Sequence, residues 1–461
     1  MPRWSRLACC LLAWSAAAWG QALPPEVGAA LDAQGLPRDA VVMFVAPAEG
    51  GPARVEHRPD VAINPASVAK LATTYAALDL LGPNFTWTTP VYFDGPVRMG
   101  TLEGNLVLKG QGDPKLVIER LWLLLRRVRA LGVHTIQGDI VLDRSAFQLP
   151  PHDPAAFDGQ PLRPYNASPD ALLVNFKTVT LTFTPDGNQA RVHADPELAG
   201  VRWPATVPGA LTDCGDWITS LAADFRDPAR VRFAGRYPLA CGEQSWQLAW
   251  PDPGTYPARA IAALWQGVGG HLRGQVREGL APAGLKPAFE FASPPLAEVI
   301  RDINKFSNNV MAQQVFLTLS LQQRGTGTFE GSREVLRTWW RERFGGEPPV
   351  TENGSGLSRN ESITARQLAQ LLQGAWASPL MPDLAASLPL LGVDGTLRRQ
   401  RQNVGLAHLK SGSLNEVSGV AGYVHGPQGR RYVLVAIANH RRASAVRPAV
   451  QALVEWAAHQ P

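Results

Sequence analysis

The stretch "INPASVAKLATTYAALDLLG", residues 63–82, sets a serine at the mouth of a helical run and a lysine three residues further in. Serine is at home at a helix N-terminus, where its oxygen accepts from an unpaired backbone N–H, so Ser67 reads first as a cap. The alternative is chemical. On a helix, residues i and i+3 share a face, which stands Lys70 beside Ser67, and a neutral amine there makes the hydroxyl a nucleophile with its own base. Scarcity gives the pair weight: with 20 serines and only seven lysines in 461 residues, chance supplies about 0.3 S-x-x-K matches.

Two later stretches decide between the readings. "KFSNNVMA" puts Ser307, Asn308 and Asn309 at a helix start, and "HLKSGSL" puts Lys410, Ser411 and Gly412 on a strand before a hairpin. Singly, the first is a helix cap and the second a turn. In order they are S-x-x-K, S-x-N and K-[ST]-G, the three motifs of serine acyl-enzymes in β-lactamases and penicillin-binding proteins.

The chemistry needs these residue types. Lys70 acts as a base only when neutral, and a desolvated site with a second cation nearby, Lys410, lowers its pKa. Ser307 passes a proton to the leaving amine and Asn309 holds a substrate amide. Lys410 and Ser411 suit a substrate carboxylate, the backbone N–H groups of Ser67 and Ser413 an oxyanion, and Gly412 lets substrate backbone lie close to the strand.

Composition bounds the rest. With 45% hydrophobic and 18% charged residues, the chain is globular and long enough for two or three domains. Residues 1–22 read as a secretory signal peptide: Arg3 and Arg6, an apolar run, then small residues near Ala22. Their removal takes the net charge from +5 to +3, too mild a balance to argue for nucleic acid. Cys214 and Cys241 then remain as an even pair in an exported chain and are expected to form a disulfide. No metal or nucleotide motif occurs, so no cofactor is expected, and no later segment is long enough to span a bilayer.

Helical patterns at both ends flank a middle of short strands broken by Gly, Pro and Asp. The expected fold is therefore α/β, an antiparallel sheet flanked by helices: residues 23–85 and 283–461 form one domain, and 86–282 a β-rich insertion. The chain resembles the D-alanyl-D-alanine carboxypeptidase/endopeptidase family, the class C low-molecular-mass penicillin-binding proteins. Besides the three motifs, "GQGDPKL", "YNASPDALLVNF", "NGSGLSRN" and "GVDGTLRR" carry the likeness. It implies a penicillin-recognising domain with an insertion between the first two motifs, where this chain has 240 positions, from Ser67 to Ser307. Ser411 stands where the family usually has Thr.

The resemblance implies a periplasmic serine D,D-peptidase that acts on peptidoglycan peptide stems and is acylated by β-lactams. Arg359 in "NGSGLSRN" and Asp158 in "AAFDGQP" are candidates for meeting the wall peptide, though a turn and a solvated loop acid explain them as well. His408 is expected to pack rather than catalyse. A β-lactamase of the same fold and a wall-binding protein with an idle site are the alternatives; the long insertion and an S-x-N rather than Y-x-N motif count against the first, and the filled reactive positions against the second. A homo-oligomer is left open.

Overall fold

The computed structural model describes residues 23–460; the expected signal peptide lies outside the described residues. The centre is a five-stranded antiparallel sheet in the order Ala407–Leu414, Val417–His425, Arg431–Asn439, Val41–Pro47, Val55–His57. Its inner strands are near-continuous apolar runs because both faces are covered. Val42, Phe44 and Ala46 turn to one side, into a core shared with a group of helices; Val41, Met43 and Val45 turn to the other, into a core with the helices Pro25–Ala33 and Arg447–Ala458. The strand Ala407–Leu414 is at the edge of the sheet, and it carries the third motif.

Helix Lys70–Leu81 lies on the first face. From Lys70 to Leu78 every residue is buried, which fits a helix with no polar face. The expected single helix from Ser67 is instead a 3-10 turn, Ala66–Ala69, that runs into the α-helix at Lys70. Helix Asn309–Arg324 packs beside it, likewise buried from Asn309 to Ser320.

The middle of the chain folds on a separate apolar core under two mixed sheets. One of them takes Phe289–Ala292, antiparallel to Thr88–Asp94, although that strand follows residue 282, where the Gly- and Pro-rich texture ends. The alternation Phe-Glu-Phe-Ala buries Phe289 against this core and turns Glu290 out. The other sheet carries the expected bridge between Cys214 and Cys241, with Cα atoms 4.7 Å apart.

This middle part is anchored to the helical layer by buried polar groups. The Gln314 side-chain oxygen accepts from Asp170 N at 2.9 Å, and its amide nitrogen donates to the carbonyls of Asp170 at 2.8 Å and Gly112 at 3.1 Å. Asp170 is itself paired with buried Lys177 at 2.9 Å and with Arg144. Loop 157–170 is thereby held over the start of helix Asn309–Arg324. Among the described residues, no helix is long and apolar enough to cross a membrane.

Candidate active site

The turn that carries Ser67 is built under constraint. Ala66 has φ +46°, a region that costs a non-glycine residue about 1–2 kcal/mol. Asn64 and Asn439 hold it there: Asn64 N donates to Asn439 Oδ1 at 2.8 Å, Asn439 Nδ2 returns to Asn64 O at 3.0 Å, and Asn64 Oδ1 accepts from Ala66 N at 2.9 Å. From the other side Gly356, at φ +78°, presses on the same peptide; a Cβ there would sit 2.0 Å from Ala66 O. The turn thus presents Ser67 with its side chain capping no helix and its N–H donating to no acceptor among the described residues.

Lys70 is wholly buried and meets three acceptors: Ser67 Oγ at 2.8 Å, Asn309 Oδ1 at 2.7 Å and Ser355 O at 2.5 Å. Burial drives its pKa well below the usual lysine value; the Lys410 charge pushes the same way, against an upward pull from Glu361. A neutral amine has two N–H bonds and one lone pair. Asn309 Oδ1 and Ser355 O can only accept, so they take the two hydrogens, and the lone pair falls to the one neighbour that has a proton to give, the Ser67 hydroxyl. Asn309 is fixed in this orientation because its Nδ2 donates to Tyr165 O at 3.2 Å.

Ser307 closes helix Leu296–Phe306 in the left-handed conformation, φ +57°, and Asn308 caps the next helix by accepting from Met311 N at 3.1 Å. That break between two helices aims Ser307 and Asn309 into one cleft. Lys410 reaches Ser307 Oγ and Ser411 O, both at 2.8 Å. It is wholly buried, and desolvation lowers its pKa to about 7. Ser411 shares a 2.7 Å hydrogen bond with Thr396, from the "GVDGTLRR" stretch. Leu409 N–H points off the sheet edge to Pro389 O, and strand alternation sends the N–H groups of Ser411 and Ser413 the same way. Gly412 lines the cleft, but its missing side chain serves a different purpose from the expected one: a Cβ would lie 2.6 Å from Pro65 O and 3.0 Å from Val68, so glycine lets the Ser67 turn pack onto the strand.

The far wall is the inserted loop. The Asp158 carboxylate already accepts from Tyr165 OH at 2.7 Å, Asn166 Nδ2 at 2.8 Å and Gln160 N at 3.1 Å. Partial burial pushes its pKa up, and these hydrogen bonds more than reverse that. Arg359 lies over the Phe157 ring, 5.0 Å from its centre, next to Asp158 in sequence and exposed. His408 packs as expected, Nδ1 to His425 Nε2 at 2.8 Å.

One functional group has no counterpart in the motifs. Glu361 is 2% exposed; its Oε1 accepts from Glu352 N and Asn353 N, which shapes the loop whose Ser355 carbonyl holds Lys70. Burial raises its pKa. A glutamate between Asn360 and Ser362 in a polar stretch gives no sign of burial, so sequence offered no signal for it.

With the cleft described, its relatives can be compared. The D-Ala-D-Ala carboxypeptidase 3 (S13) family matches residues 25–460. The chain belongs to this family. It is a serine-type D,D-peptidase of peptidoglycan. A D-alanyl-D-alanine carboxypeptidase of Actinomadura sp. (strain R39) is 28% identical over 427 residues, 86% of this chain and 78% of that protein. The D-alanyl-D-alanine carboxypeptidase DacB of Haemophilus influenzae is 23% identical, over 81% of this chain and 80% of its own. The crystal structure of penicillin binding protein 4 (dacB) from Haemophilus influenzae matches at TM-score 0.75 and 22% identity, covering 94% of this chain and 99% of that one. Its complex with a novel β-lactam matches at 0.73. The expected α/β penicillin-recognising fold is the fold of this S13 peptidase.

Proposed function

We propose that this S13 peptidase works through a covalent acyl-enzyme on Ser67, in the periplasm, on the D-Ala-D-Ala end of peptidoglycan stems. One observation carries the reading: a buried, neutral-leaning Lys70 whose only proton-bearing neighbour is the Ser67 hydroxyl.

Lys70 takes the Ser67 proton as Oγ adds to the penultimate D-Ala carbonyl. The resulting oxyanion lies between the N–H groups of Ser67 and Ser413. The C–N bond then breaks; Ser307 hands its proton to the leaving nitrogen and recovers one through Lys410 and Lys70. Water attacks the ester, Lys70 again accepting the proton, and Ser67 leaves. The terminal carboxylate pairs with Lys410 and Ser411, while Asn309 takes the substrate amide. The part of the chain between residues 86 and 282 acts as an insertion that lends the acyl side a wall, with Tyr165 and Arg359 facing the stem and Asp158 positioning Tyr165. A β-lactam carries the same carboxylate and carbonyl and is turned over slowly.

Incubating the purified chain with a pentapeptide stem tests this. The account expects one D-Ala released per stem by wild type and none by Ser67→Ala; release by a folded Ser67→Ala protein overturns it.

A further inference from the structure

The cavity that contains Ser67 does not end at the carboxylate position. It has a volume of about 540 Å³ and runs from Ser67, Ser307 and Ser411 to a far end formed by Arg399, Arg447 and Gln451. Its floor is apolar, with Leu409 and Val420 from the sheet and Val454 from the C-terminal helix. Its far wall is tied together, since Gln451 Nε2 donates to Gln400 Oε1 at 3.1 Å and Gln451 O accepts from Asn403 at 2.9 Å.

The two arginines are unspent. Both are exposed, and among the described residues neither makes a hydrogen bond or ion pair. Arg447 is moreover the first residue of the helix Arg447–Ala458, where the aligned peptide dipoles already present positive charge. A cation there opposes helix stability and strengthens the local field for an anion.

The direction of this extension follows from the acyl-enzyme reading, on which the inference rests. The leaving D-Ala places its carboxylate at Lys410 and Ser411, so whatever lies beyond Ser411 is on the leaving side; Tyr165 and Arg359 lie on the acyl side, past Asn309. We propose that the far end binds the leaving strand of a cross-linked stem pair, making the chain an endopeptidase as well as a carboxypeptidase. In such a substrate the residue after the scissile bond carries the same α-carboxylate as D-Ala, but a methylene chain in place of the methyl group, leading to a second stem with further carboxylates. The methylenes lie along Leu409, Val420 and Val454, and a distal carboxylate pairs with Arg399 and Arg447. The bond chemistry is unchanged: the same C–N bond breaks, and the leaving nitrogen, now the side-chain amine of the neighbouring stem, takes the proton.

The test compares two substrates, a monomeric pentapeptide stem and a cross-linked stem dimer, and reads the ratio of their kcat/KM values. Arg399→Glu and Arg447→Glu should each lower the dimer-to-monomer ratio at least 10-fold, through KM of the dimer, while Arg399→Lys and Arg447→Lys keep it within 3-fold. Fluorescent-penicillin labelling of each variant reports that the nucleophile cleft is folded. The proposal is overturned if wild type releases D-Ala but leaves the dimer intact, if the ratio does not move, or if both substrates slow together. A wild-type chain that neither labels nor releases D-Ala overturns the acyl-enzyme reading along with it.

Discussion

Gly356→Ala puts one methyl group where the Ser67 turn has no room. Its Cβ would lie 2.0 Å from Ala66 O, 2.5 Å from Ala66 C and 2.9 Å from Ser67 N, all backbone atoms with no rotamer to change. Relief to an ordinary contact needs a shift of about 1 Å, shared between loop 352–361 and the turn, and φ +78° at residue 356 adds about 1–2 kcal/mol of strain for any side chain. The turn is pinned on its far side by Asn64 and Asn439, so the shift falls on Ser67 N–H and on the Ser355 carbonyl that holds Lys70. A displacement near 1 Å of reacting groups costs on the order of 10²-fold in rate. Stopped-flow acylation by a fluorescent penicillin, with a melting curve on the same sample, should therefore show a loss of about 10²-fold in a protein that still melts cooperatively. Acylation within 3-fold of wild type at an unchanged Tm would refute the argument that Gly356 positions the turn.

The pH profile of kcat/KM should be bell-shaped, because the free enzyme needs Lys70 neutral and Lys410 charged: activity rises as Lys70, lowered by burial and by Lys410, loses its proton, and falls above about pH 7 as Lys410 does. Lys410→Met should remove the alkaline limb and move the acid limb upward, since the charge that lowers the Lys70 pKa is gone; a wild-type profile flat from pH 5 to 9 contradicts this. Glu361→Gln should move the acid limb downward, because Glu361 pulls the Lys70 pKa up, and an unmoved limb in the same titration would show that it acts only on loop shape. Replacing Cys214 and Cys241 by serine opens a 27-residue loop and should cost about 3 kcal/mol in the middle of the chain while penicillin labelling persists; a denaturant midpoint equal to that of wild type counts against it.

What the sequence made legible was whatever has a local signature. The central strands appear as apolar runs and the flanking helices as periodic ones; S-x-x-K, S-x-N and K-[ST]-G lie within one turn or on one strand each, so their spacing alone tells which side chains share a face. The edge strand and the expected bridge were readable for the same reason. The rest depends on contacts between distant segments. That Gly412 makes room for Pro65 and Val68 follows from packing a strand on a turn some 340 positions away, and the same holds for Gly356 against Ala66. Asp158 showed itself as a loop acid, yet its three hydrogen bonds to its own loop appear only once Tyr165 folds back over it. Glu361 and the Ser355 carbonyl were illegible because backbone acceptors have no sequence signature and a buried acid in a polar stretch looks solvated. The strand Phe289–Ala292 was missed because four residues after a Pro-rich segment are too few to set a period.

The central claim is that Ser67 carries the acyl group and Lys70 activates it. Intact-protein mass spectrometry after a short exposure to a penicillin tests it most directly, with peptide mapping to assign the modified residue. The account predicts one adduct per chain, mapped to Ser67, absent from Ser67→Ala and formed at least about 10²-fold more slowly in Lys70→Ala, the lower range for loss of a general base. A stoichiometric adduct on a folded Ser67→Ala protein, or on any other residue of wild type, would contradict it.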